Sequence, residues 1–434
     1  MSNKSGTSGQ VISLPQGGGA LHGIGETFSP DLHTGTGNFT VPITLPPGRN
    51  GFQPQLSLVY STGSGNSPWG LGWGLSIPGV MRKTSQGIPR YGDEDTFVLS
   101  GAEDLVPVER LPELTRYRPR TEGLFARIEH HWGSGNNYWK VWSKDGLVSY
   151  YGADELAEEV ETPPVIANPD PLRRDNIFAW QLFQTEDPFG NVIKYEYERD
   201  LDEEGAHTWD QLYLRRIQYA DYGDRANPEF LVSITFIYED RPDPFSEYRS
   251  GFEIRTRRRC REVQVRTNAS EEILVRTYHF VYLDQRDDLG NLEQILPLNG
   301  VSLLSQVRVE GHDDNNPNSE ERSETLPPLE FNYTQFEPVE RDFFPLQGRD
   351  LPTRSLSAPE LELADLFGNG LPDILEMNGT VRYWRNLGNG QFDLPREMRT
   401  APAGLTLASP GVQLMDANGD GRIDLLVTSD RPLY

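Results

Sequence analysis

Apolar and polar positions alternate along much of the chain. Phe39, Val41, Ile43 and Leu45 are separated by polar residues or proline, the period of a strand with one buried face. Leu56-Ser-Leu-Val-Tyr60 repeats the pattern after Pro54. Tyr138-Trp-Lys-Val-Trp142 leads through Ser-Lys-Asp-Gly146 into Leu147-Val-Ser-Tyr-Tyr151, and Asp145-Gly146 is a tight-turn signal between two alternating runs. Residues 180–185 and 192–197 are joined in the same way by Asp187-Pro-Phe-Gly-Asn191. The spacing predicts further strands at 231–238, 252–257, 261–266, 274–282 and 304–309. Segments 163–171 and 313–319 read as surface loops, and residues 1–30, rich in Gly, Ser and Thr, as a flexible start. No amphipathic helix of ordinary length is evident. The predicted class is all-β.

Composition sharpens this picture. The 434 residues include 42 glycines and 33 prolines, punctuation that breaks long helices and favours short strands joined by turns. The length suits several units and a core that needs no staples. A net charge of −25 argues against nucleic acid as the main partner, since phosphate contacts require a cationic field. The lone Cys260 excludes a disulfide framework and any cysteine-cluster zinc site. No run approaches the apolar length of a membrane span, and Met1–Gln10 lacks the apolar stretch of a cleaved signal, so any export is expected to use no ordinary cleaved signal. In Ser61–Ser76, Trp69 and Trp73 are interleaved with glycines. This predicts backbone lying close against indole faces rather than a phosphate cradle, because neither a helix N-terminus nor a lysine follows.

A boundary is expected near residues 334–356, and beyond it the chain repeats. Leu361-Glu-Leu-Ala-Asp365 matches Val412-Gln-Leu-Met-Asp416, and Asp373-Ile-Leu matches Asp424-Leu-Leu, both 51 residues apart. The unit has the size of a propeller blade, and the second stops at Tyr434, which suggests a piece of something longer. In Asp416-Ala-Asn-Gly-Asp-Gly-Arg-Ile-Asp424 the side chains of Asp416, Asn418, Asp420 and Asp424, with the Arg422 carbonyl, are placed to wrap Ca2+. The alternative is an Asx-rich turn held by its own side chains. The partner loop keeps Asp365, Asn369 and Asp373 but has Phe367 at the third position, which favours a metal-free turn.

The densest basic run is Arg255-Thr-Arg-Arg-Arg-Cys-Arg261. On a strand Arg257, Arg259 and Arg261 share a face, and in so acidic a chain an ion-paired wall is expected rather than an anion site. Cys260 reads as a small buried residue. Glu129-His-His131 lacks the spacing of a zinc helix. Glu196-Tyr-Glu198 resembles the Glu-x-Glu of ADP-ribosyltransferases but sits on a strand without a Ser-Thr-Ser element, so no catalytic role is assigned to it. No nucleophile, base and oxyanion donor come together, and no catalytic residue or organic cofactor is expected.

Several motifs resemble the N-terminal part of Tc toxin B components, a family shared with the enterobacterial virulence-plasmid B protein. They are Leu14-Pro-Gln-Gly-Gly-Gly-Ala20, Gly35-Thr-Gly-Asn-Phe39, Pro42-Ile-Thr-Leu-Pro-Pro-Gly-Arg49, Pro54-Gln-Leu-Ser-Leu-Val-Tyr60 and Trp69-Gly-Leu-Gly-Trp-Gly-Leu75. Asp187–Tyr197 is similar to an RHS/YD repeat, Leu326-Pro-Pro-Leu-Glu-Phe331 to the end of this region, and the 51-residue units to FG-GAP/VCBS propeller repeats. The resemblance implies an RHS-like shell region at 31–334, a linker at 335–356 and propeller repeats at 357–434. It also implies a non-catalytic part of a secreted toxin complex. A C-type component would complete the shell, an effector would lie inside it, and the propeller would dock on a pore-forming A component. Two rival readings are the delivery region of an ADP-ribosyltransferase toxin and a propeller-bearing surface adhesin.

Overall fold

The computed structural model describes residues 24–428 apart from 31–36, 86, 101–103, 122, 124, 134–135, 153–161, 226, 269–270, 291–294, 313–322, 335–343, 401–403 and 418–421. The expected flexible start therefore lies mostly outside the described residues, as does the loop at 313–319. Regular structure among the described residues is strand, with a few 3-10 turns. The fold is all-β. The chain divides into two compact units, one holding the strands from Gly37 to Glu330 and the other those from Gln347 to Val427.

In the first unit, the strands from Gly79–Arg82 to Leu329–Glu330 form one antiparallel system that closes on itself. The closure runs through eight of them. Gly79–Arg82 pairs with Phe97–Leu99, and pairing continues through Asp104–Leu111, Leu114–Pro119, Arg127–Gly133, Asn136–Trp142 and Val148–Tyr151. The last of these pairs with Ile177–Glu186, which returns to Gly79–Arg82. Side chains from alternate positions fill the small barrel, with Ile128, Trp139 and Trp180 fully buried. Phe97 and Trp139 meet edge-on at 4.9 Å.

From Ile177–Glu186 the sheet continues outside the ring. Its strands are Val192–Glu204, His207–Asp224, Asn227–Glu247, Ile254–Asn268, Glu272–Tyr282 and Leu304–His312. A four-stranded sheet, Thr27–Pro30, Gly37–Pro42, Ser57–Ser61 and Trp73–Leu75, packs against it. Val41, Ile43, Leu56 and Leu58 join Ile217, Ile234, Val263 and Val307 in one buried cluster. Tyr278 and Tyr219 tie the two layers through hydrogen bonds with the Thr44 amide and the Pro46 carbonyl.

The hairpin across Asp145-Gly146 forms as expected, with Gly146 in the left-handed region at φ 84°. The strands predicted at 252–257 and 261–266 merge into Ile254–Asn268. Segment 163–171 is not wholly loop: Val165–Ala167 pairs with Ile177–Glu186 and buries Ile166 and Ala167, with prolines only on its flanks. The tryptophan–glycine run packs differently from expectation. A Cβ on Gly72 would lie 2.4 Å from the Tyr60 ring, and one on Gly70 would lie 2.8 Å from the Ser302 carbonyl. The glycines thus face a phenol ring and backbone, not indole.

In the second unit Leu361–Ala364, Asp373–Met377, Val381–Trp384 and Arg396–Glu397 form a four-stranded antiparallel sheet. Val412–Met415 and Asp424–Val427 form the repeat hairpin. The two repeats close on the same register, Ala364 opposite Asp373 and Met415 opposite Asp424.

Gly72 and Gly74 give a direct test of the covering sheet. Gly72 sits at φ +81° against Tyr60, whereas a Cβ on Gly74 meets nothing within 4 Å. Gly72→Ala is expected to lower unfolding stability by about 1–3 kcal/mol in denaturant titration, and Gly74→Ala to leave it within about 0.5 kcal/mol.

Candidate functional site

The strand Ile254–Asn268 carries the arginine run, and charge pairing decides where each guanidinium goes. Arg257 reaches Asp200 at 3.4 Å and Arg258 reaches Glu198 at 2.7 Å. Arg259, only 2% exposed, is clamped by Glu239 at 2.8 Å and by both oxygens of Asp284 at 2.7–2.8 Å. Its guanidinium also lies 4.2 Å from the centre of the Tyr282 ring. Arg257, Arg259 and Arg261 do not share a face. Arg261 is the extra residue where the register shifts from Ile237–Glu262 to Tyr238–Cys260, and the bulge turns it out to solvent. The run is an ion-paired wall in which Cys260 is buried, its thiol pushed well up by desolvation.

The same pairing recurs at residues that carried no signal in the sequence. Asp210 is completely buried and takes Arg199 at 2.6 Å, Arg174 at 2.9 Å and the Ala167 amide at 3.0 Å. Arg241 bonds Asp243, which also accepts from the amide and hydroxyl of Ser302 and from the Asn66 side-chain amide. These partners are up to tens of residues apart in sequence, so no local spacing announces them. Buried ion pairs of this kind add little net stability, because desolvation offsets their attraction, but removing one partner strands an uncompensated charge.

Inside the barrel His130 stacks on Trp139 at 4.3 Å, and its Nε2 lies 2.9 Å from Asn137 Oδ1. The same oxygen accepts the Trp180 indole N–H at 3.0 Å. Arg82 lies over the Phe97 and Trp180 rings and pairs with Asp95 at 2.6 Å. Glu129 and His131 point out of the barrel and meet each other at 3.2 Å, with Arg127 and Arg116 also on Glu129. Glu196 and Glu198 lie on an ordinary strand, facing Arg216 and Arg258.

In the repeat region Asp365 accepts hydrogen bonds from the Phe367, Asn369 and Gly370 amides. Asp373 accepts from the Leu366 and Asn386 amides. These backbone bonds hold the Asp365 carboxyl below its ordinary value against the opposing effect of burial. The loop is thus closed by its own backbone, and Asn369 Oδ1 serves the Leu371 amide. In the second loop Asp424 accepts from the Ala417 amide, while Asn418 and Asp420 lie outside the described residues. Among the described residues no group of three or more His, Cys, Asp or Glu side chains is arranged to hold a metal, and no helix is long and apolar enough to cross a membrane.

Comparison with known proteins fits this geometry. The family model described as Salmonella virulence plasmid 65kDa B protein matches residues 31–220 and 213–266, more than half of the chain. The chain belongs to that family. An FG-GAP-like repeat matches residues 365–427. The mono(ADP-ribosyl)transferase SpvB of Salmonella choleraesuis strain SC-B67 is 30% identical over 312 residues, which cover 58% of this chain and 50% of that protein. The SpvB of Salmonella typhimurium strain 14028s is also 30% identical, over 58% of this chain and 49% of its own length. The chain thus spans about half the length of the curated relatives it matches.

Among solved structures, the Photorhabdus luminescens Tc holotoxin pore matches with a TM-score of 0.65 and 27% identity, over 97% of this chain and 21% of that one. The TcdB2-TccC3 crystal structure gives 0.63 and 27%, over 98% of this chain and 23% of that one. The N-terminal domain of the effector SpvB from Salmonella typhimurium strain LT2 gives 0.52 and 25%, over 63% of this chain and 99% of that domain. The resemblance to the Tc B and virulence-plasmid B family is borne out.

His130 supplies a pH test of the barrel. Desolvation, with help from the nearby charges of Arg82 and His131, pulls it down from 6.5 to about 4 despite the hydrogen bond to Asn137. The unfolded chain therefore binds a proton between these values that the folded barrel refuses. The associated stability, about 3 kcal/mol, is present above pH 6.5 and lost as pH falls towards 4. Chemical denaturation across pH 4–7 is expected to show that slope in the wild type and a shallower one in His130→Phe. Parallel slopes would contradict a buried neutral His130.

Proposed function

We propose that this family member is a non-catalytic wall segment of a toxin shell that encloses an effector. In this reading the region from 357 onward opens a propeller that docks on a pore-forming A component, and a C-type component completes the container. The complex is exported, and the chain itself neither spans a membrane nor binds nucleic acid. The observation that supports this reading most is the match to Tc assemblies over nearly the whole chain, through both compact units. The chemistry is consistent with it: the charged side chains brought together, such as Arg259 with Glu239 and Asp284, are consumed in pairing.

A second reading is favoured by a different observation. The curated relatives at 30% identity are mono(ADP-ribosyl)transferases, so the same wall would then serve as the delivery region of an enzyme whose catalytic domain lies elsewhere.

Co-expression of the full-length protein with a Tc C-type component, followed by co-purification and electron microscopy, distinguishes the two. The shell reading expects a stable complex seen as a closed hollow particle. A protein that stays free of the C-type component and transfers ADP-ribose from NAD to a protein acceptor supports the second reading and overturns the first.

A further inference from the structure

Four register breaks in the large sheet share one feature. Pairing skips Phe183 beside Tyr151–Leu182, Arg215 beside Tyr197–Leu214, Arg261 beside Tyr238–Cys260 and Ser305 beside Tyr282–Leu304. At each, a tyrosine stands opposite the residue that precedes the extra one. The break between Pro107 and Glu109 likewise sets Tyr117 opposite the residue before the extra one, but it lies outside the run of long hairpins, and the breaks at Val265/Arg266 and Asp240/Phe245 have no tyrosine there.

The hydroxyls link these breaks into a line. Tyr197 donates to the Leu182 carbonyl at 2.9 Å and Tyr238 to Leu214 at 2.9 Å. Tyr282 donates to Cys260 at 2.8 Å and Tyr333 to Leu304 at 2.7 Å. Tyr197, Tyr238 and Tyr282 thus each face one bulge across the strand pair and bond the carbonyl of the bulge before it, and Tyr333 bonds the carbonyl of the last. Read in order, Leu182, Tyr197, Leu214, Tyr238, Cys260, Tyr282, Leu304 and Tyr333 cross the sheet from the barrel's edge to its last long strands. A bulge leaves backbone groups outside the ladder and bends its strand, and a buried carbonyl without a donor is strongly disfavoured. The phenol supplies that donor without breaking the apolar packing around it.

We propose that these tyrosine–bulge pairs are one coupled spine, repeated every second strand, that locks successive bends of the sheet along a single line. The bends are fixed because every bulge is held from two sides, by the tyrosine opposite and by the hydroxyl from the following hairpin. The loss of one link is then felt at its neighbours. This is a property of the sheet itself and does not depend on what the wall encloses.

Hydrogen exchange by mass spectrometry on the whole chain tests it. In Tyr238→Phe, peptides spanning Leu214–Arg216 are expected to exchange at least tenfold faster, and those spanning the neighbouring bulges at Phe183 and Arg261 at least threefold faster. Tyr222→Phe, whose hydroxyl meets only Glu229 at the surface, is the control and is expected to change neither. If Tyr238→Phe does not fold, Tyr333→Phe at the end of the line is read instead. It is expected to loosen Leu304–Gln306 tenfold and the Arg261 bulge threefold. Exchange within twofold of wild type at the broken link, or an effect confined to that link alone, overturns the spine.

Discussion

The first unit depends on one strand having partners on both sides at both ends. Ile177–Glu186 meets Val165–Ala167 and then Val148–Tyr151 along one edge. Along the other it meets Gly79–Arg82 and then Val192–Glu204. Its first half closes the barrel and its second half launches the long hairpins. A strand so placed is covered on both faces, and all but Gln181 and Glu186 of its residues are buried. That explains a sequence, Ile-Phe-Ala-Trp-Gln-Leu-Phe-Gln-Thr-Glu, that is nearly continuous in apolar residues at its start rather than strictly alternating.

Charge follows from the same architecture. A sheet with few loops to absorb polar groups must accommodate its arginines and carboxylates on its own strands. Arg199 with Asp210 is a buried pair made across strands and buried Arg259 is clamped by Asp284 from the 3-10 turn after Tyr282, whereas exposed pairs such as Arg90–Glu94 contribute little. The Arg199–Asp210 pair favours the native register of its two strands, because a slip of one residue would send each charge to the wrong face. A chain organised in this way spends its ionisable groups on shape.

The fold class and many hairpins were legible in the sequence because alternation and turn chemistry are local signals. Asp145-Gly146 and Asp187-Pro-Phe-Gly-Asn191 announce their turns, the latter through Asp187 accepting from the Phe189 and Asn191 amides. The repeat was legible because Asp365 and Asp373 recur at Asp416 and Asp424. Barrel closure was not, since Met81 meets Ala179 across almost a hundred residues without a motif. The tyrosine line was hidden for another reason: its acceptors are backbone carbonyls of Leu182, Leu214, Cys260 and Leu304, which leave no side-chain signature. The arginine run misled at one point only, because a bulge at Arg261 resets the alternation that put three guanidinium groups on one face.

The closing ladder between Gly79–Arg82 and Ile177–Glu186 is the claim on which the architecture stands. Met81 and Ala179 are direct cross-strand partners there. The double variant Met81→Cys/Ala179→Cys, mildly oxidised and mapped by peptide mass spectrometry, should yield the linkage between positions 81 and 179 in nearly all molecules, with Cys260 still a free thiol. Two unlinked, alkylatable thiols at 81 and 179 would mean that the ring is open and the account wrong.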